Sequence, residues 1–207
     1  MGLVAIMAAL VLGLLISSAK SFYDAQSSEL MEMSTRIILL DRLLAHYGPE
    51  TKEARDLLRS TVAGSIDKIW PQQRAHPSEP GAPAAGPDAL IIKLQALSPK
   101  DDTQRSLQAQ ALSVVISLAQ TRWLMYEQGA DSLSKPMLMT LVFWLTAIFV
   151  SFGLFAPHNT TVIAALFLAA LSVSGATFLI IEMYAPFGGL IEISSAALRA
   201  TLTHLGQ

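Results

Sequence analysis

Cysteine is absent from the 207 residues. Disulfides and thiolate metal sites are therefore excluded, and the redox compartment cannot be read. Charge is scarce as well: Asp, Glu, Lys and Arg make up 14% of the chain, against about 25% in an ordinary soluble domain. With a net charge of −2, no basic surface points to nucleic acid. The scarcity is uneven. Thirteen of the 14 Lys and Arg residues and 14 of the 16 acids lie between Lys20 and Lys135. From there to Glu182 the chain runs 46 residues without a formal charge, broken only by Pro157-His158-Asn159-Thr160.

What is present in place of charge is hydrocarbon. Met137–Ala156 supplies 20 residues and Thr161–Ile181 supplies 21, each long enough at about 1.5 Å per residue to cross about 30 Å of lipid. This reads as two membrane-spanning helices joined by a tight turn. A third apolar segment, Gly2–Ser18, opens the chain. A cleaved secretory signal is the competing reading there, but the positively charged start of such signals is missing. Within it Ala5, Ala9, Gly13 and Ser17 recur every four residues, placing one small side chain per turn on a face where another helix can approach closely. The expected fold is all-α: an integral membrane protein with three transmembrane helices and a cytoplasmic antiparallel helical bundle. Lys20, Lys135 and Arg199 flank the spans, while the N-terminus and the 157–160 turn carry no Lys or Arg. The positive-inside rule then puts residues 20–134 and the C-terminal tail in the cytoplasm.

Residues 20–134 read as helical. Leu30, Met33, Ile37, Leu40 and Leu44 recur at three- and four-residue steps with Arg36 and Asp41 between them, as on an amphipathic helix. No breaker separates this stretch from the first span, so the two can form one helix of over 40 residues. Gly48-Pro49 ends it. A second helix follows from about Glu50 to Trp70, with Leu57, Leu58, Val62, Ile66 and Ile69 as its buried stripe. Five prolines between 71 and 88 mark a linker. After an apolar patch at Leu90–Leu97, Ser98-Pro99-Lys100-Asp101 starts a last helix over about Asp102–Gln128. Leu107, Ala111, Val114, Val115, Leu118, Arg122 and Met125 fall near one of its faces.

Catalytic chemistry finds no foothold. His46, His76, His158 and His204 are scattered, and no metalloprotease, nucleophile-elbow, phosphate-loop or dinucleotide motif occurs. Asp101-Asp102 reads as a helix N-terminus rather than a metal pair. No catalytic, cofactor-binding or metal-ligating residue is therefore assigned. The spans offer packing or pore-lining candidates instead. Ser172, Ser174 and Thr177 lie on the third, where small and hydroxylated side chains mark close helix contacts or, alternatively, an aqueous path. Phe152 and Phe155 on the second face lipid or neighbouring helices, or form an apolar constriction. Glu182 follows the third span, either reaching water or acting in a packed site. The tail 184–207 is broken at Pro186-Phe187-Gly188-Gly189. It then forms a short helix from Ser194-Ser195 that rests on the membrane surface or against the bundle.

Several stretches together resemble a bacterial family named for its bestrophin-like domain. They are ALVLGLLISSAKSFYDAQ at 9–26, LDRLLAHYGPE at 40–50, Trp70-Pro71, and the long run from Val142 through Leu202. The resemblance implies a multi-pass protein of the bacterial inner membrane with four membrane helices, the additional one preceding the segment that begins this chain. It also implies kinship with anion channels. The expectation that follows is a homo-oligomer in the lipid bilayer that forms or regulates an ion path. A membrane-anchored scaffold or sensor acting through the helical bundle is the alternative.

Overall fold

A computed structural model describes residues 2–70, 87–130, 135–155 and 159–205, and among these every regular element is a helix. The linker prolines from 71 to 86, His76 and His158 lie outside the described residues. In chain order the helices are α1 (Gly2–Tyr47), α2 (Lys52–Ile69), α3 (Pro87–Gln95), α4 (Asp102–Ala130), α5 (Lys135–Phe155), α6 (Thr160–Met183) and α7 (Ala196–His204). A 3-10 turn, Pro49–Thr51, joins α1 to α2. The chain divides into two compact units, one made of Met1–Ala25 and Gly129–Glu192, the other of Gln26–Gln128 and Ile193–Gln207. Helix α1 contributes residues to both.

Two helices are long and apolar enough to cross a membrane, one within Ile6–Tyr47 and one at Thr160–Met183. At 24 residues α6 spans about 36 Å. The apolar part of α5 among the described side chains, Met139–Phe155, is shorter. In the first unit these helices meet through Leu15 and Ala19 of α1, Leu141 of α5 and Ile180 of α6. Val11, Leu12, Leu145, Met183 and Tyr184 pack partly buried around that centre. Ala19 sits at the contact because a methyl side chain lets a neighbouring backbone come close in the absence of a hydrophobic drive between helices. The outward side is also hydrocarbon: Phe143, Phe155 and Phe167 are 69%, 81% and 67% exposed. Apolar surface on that scale needs a nonaqueous neighbour.

The second unit is a helical bundle with an ordinary inside and outside. Leu30, Ile37, Leu40 and Leu44 of α1 are buried, as are Ala54, Leu58, Val62 and Ile66 of α2. Leu90 and Leu94 of α3, Ala111 and Val115 of α4, and Leu198 of α7 complete the core. The 3.6-residue period thus locates the core face of each helix. Two details, at Pro87 and at Asp41, differ from the sequence reading. Pro87 and Asp88 open α3 instead of ending the linker, because proline is suited to the first helical turn. The tail helix α7 packs on α2, one of the two places that its sequence leaves open. Asp41 is buried and paired, not part of a solvated stripe.

Candidate functional site

The termini of α1 and α2 are fastened by polar side chains. Gly48 leaves α1 with φ 131° and ψ −178°, a backbone conformation open in practice only to glycine. Thr51, fully buried, donates its hydroxyl to the carbonyls of Leu44 at 2.6 Å and Gly48 at 2.8 Å, satisfying acceptors left over at the helix end. Beside it, Arg55 of α2 grips Asp41 of α1 with two parallel bonds of 2.7 and 2.9 Å. That fork holds the Arg55 guanidinium above its ordinary pKa, the hydrogen bond being the main cause. Lys100 binds Glu50 and Lys93 binds Glu53. Both carboxyls are held below the usual range by these bonds, and Lys100 is raised in return.

Asp101 settles its own role: its carboxylate accepts from the Gln104 backbone N–H at 2.7 Å, the arrangement of a helix cap. Gln104 also donates to the Tyr47 carbonyl at 2.9 Å. Gln108 does the same for Leu94 and Leu97, at 2.7 and 3.0 Å, closing the end of α3. None of these glutamines announces itself in the sequence, since a surface glutamine and a capping one look alike. The Trp70 indole N–H donates to the Ile193 carbonyl at 3.0 Å across 123 residues and is buried to 2% exposure. This bond anchors the tail to the bundle. At the start of α7 it is Ser194, not the buried Ser195, whose hydroxyl accepts from the Ala196 N–H.

In the first unit, Ser172 and Thr177 donate their hydroxyls to the carbonyls of Leu168 and Val173, one turn back on α6. Ser172, Ser174, Phe152 and Phe155 are exposed in the single chain. On α1, Ala9, Gly13 and Ser17 are exposed too, and a Cβ placed on Gly13 would meet nothing within 4 Å. The side chain of Ala5 lies outside the described residues. The face of α1 that packs within the chain is the one carrying Leu15 and Ala19. Glu182 turns back onto its own loop, where the Leu190 and Ile191 N–H groups both donate to its Oε1. Gly189 passes so close that a Cβ there would stand 2.7 Å from the Glu182 Cδ. Nearby, Tyr184 shares a hydrogen bond with Ser18 at 3.2 Å and a ring contact with Phe22 at 5.3 Å.

Among the described residues no group of three or more His, Asp or Glu side chains is placed to hold a metal ion. The geometry is that of packing, capping and an apolar helix cluster. A family-wide sequence profile described as Bestrophin-like domain matches residues 1–198. The chain belongs to the bestrophin-like family. No curated protein and no solved structure matches it. Membership in that family, together with the exposed apolar helices, supports a membrane protein.

Proposed function

We propose that this bestrophin-like protein spans the bacterial inner membrane three times, through the first part of α1, α5 and α6. In this reading the bundle and the tail are cytoplasmic, by the positive-inside rule. Copies assemble into a homo-oligomer that forms or regulates an ion-permeation path between subunits. The observation that carries the reading is the contrast within the membrane unit. Its interior is filled by Leu15, Ala19, Leu141 and Ile180, which leaves no polar route inside this packed contact. The small and hydroxylated side chains, Ala9, Gly13, Ser17, Ser172 and Ser174, lie on the outside. A second copy would bury them, and tight approach of small faces is how membrane helices associate.

Reconstitution into liposomes with flux recording tests the proposal. The expected result is passage of an anion or cation that is blocked by a thiol reagent in a Ser174→Cys variant, the native chain being free of cysteine. Silence across anions, cations and pH, from protein with intact helical circular dichroism, overturns it, as does a monomer in nanodiscs. A second reading, a membrane-anchored scaffold or sensor, draws on the size of the bundle and the half-open cavity between its helices. Cellular cross-linking to a consistent soluble partner, lost on deletion of residues 25–130, would favour it.

A further inference from the structure

Between the helices of the bundle lies a half-open cavity of about 90 Å³. Ile37 of α1, Leu58 and Val62 of α2, Leu90 of α3, Leu118 of α4 and Leu198 of α7 form its wall. Two hydroxyls, Thr61 and Ser65, also line it. Both are spoken for: Thr61 donates to the Leu57 carbonyl and Ser65 to the Thr61 carbonyl, each at 2.8 Å. A water needs two to four polar partners, and this wall does not provide them. The lining holds no carboxylate, and Arg122 is its one residue with a charged side chain. Arg122 is exposed and forms no ion pair with a described residue.

The two halves of this site ask for two chemistries in one molecule. The wall rewards hydrocarbon, since empty apolar space forfeits the dispersion contacts a guest would supply. Its volume is more than half that of the roughly 150 Å³ apolar cavities that admit benzene. The guanidinium of Arg122, a lining residue that is also exposed, suits a planar anion such as a carboxylate. We propose that the cavity binds the chain end of a free single-chain carboxylate, a fatty-acid-like anion, with its head group on Arg122. The bundle is then a ligand-binding module, whatever the membrane unit does.

The test uses the full chain in phosphatidylcholine nanodiscs and two single-cysteine reporters. Ser65→Cys lies on the cavity wall and Ser113→Cys on the exposed side of α4; Thr61→Cys replaces the first if its circular dichroism shows lost helix. Maleimide labelling is followed with octanoate, decanoate, dodecanoate and, as the uncharged control, 1-decanol. Protection of the cavity cysteine should strengthen about four-fold per added methylene until the cavity is full, while Ser113→Cys is unaffected. Arg122→Gln should weaken decanoate about five- to ten-fold and leave 1-decanol unchanged. Equal protection at both positions, none at either, or no response to Arg122→Gln would overturn the proposal. So would protection by anionic phospholipid nanodiscs without added carboxylate, which assigns the cavity to a membrane lipid.

Discussion

Single residues in this chain do their work at helix ends. The Asp41–Arg55 fork is largely desolvated, so removing one partner strands a charge. Asp41→Ala should lower the stability of the bundle by about 2–4 kcal/mol in denaturant unfolding followed by circular dichroism. Gly48→Ala forces an L side chain into φ 131° with its Cβ 2.7 Å from the Glu50 carboxylate, and should cost about 1–3 kcal/mol in the same assay. Tyr47 has the opposite sign. Its hydroxyl is buried with no partner among the described residues, so Tyr47→Phe should be neutral or stabilise by up to about 1 kcal/mol. Of these three only Gly48 is legible beforehand, because Gly-Pro after an apolar period is a helix stop wherever it occurs. Asp41 looks like an ordinary polar residue between core positions until α2 brings Arg55 beside it.

Among the elements, the tail shows most clearly what packing adds. Helix α7 has nine residues, too few to persist alone in water, and depends on α2 and on the Trp70–Ile193 hydrogen bond. Trp70→Phe keeps most of the buried ring and deletes the N–H. The cost should be about 1–3 kcal/mol, with limited proteolysis cutting after residue 193 sooner than in the parent. The pattern of the sequence permits two berths for α7, the membrane surface or the bundle. Its amphipathic face suits either, and only a partner surface decides. The same holds for α1, where Ala9, Gly13 and Ser17 form the conspicuous stripe, yet Leu15 and Ala19 make the contact within the chain.

At the scale of the whole molecule, ion pairs tie the bundle to the pH of its solvent. Glu50 and Glu53 are held below their ordinary value of 4.5 in the folded chain. Their contribution is therefore complete above that value and is lost as the pH falls through the depressed folded values. Lys100, raised above 10.5, contributes below that value, and its share is lost as the pH rises through the higher folded one. Unfolding midpoints should accordingly be flat across the neutral range and fall on acidification below pH 4.5. Glu50→Gln should shrink the acid-side loss, measured by thermal melts followed by circular dichroism from pH 3 to 8.

The all-helical class and the apolar helices could be read from one chain because each is a property of composition and period, while the family was legible only through the likeness of whole stretches such as residues 9–26 and 142–202. Charge is excluded from lipid wherever the residues around it sit, and a helix repeats its core face every 3.6 positions regardless of partner. What only the tertiary structure decided is which polar groups are spent and which are left over. Asp41 meets Arg55, the Trp70 indole meets the Ile193 carbonyl, Gln104 meets the Tyr47 carbonyl, and Arg122 lies beside an apolar hollow. Those outcomes depend on distances between segments far apart in the chain, and no local pattern encodes a distance.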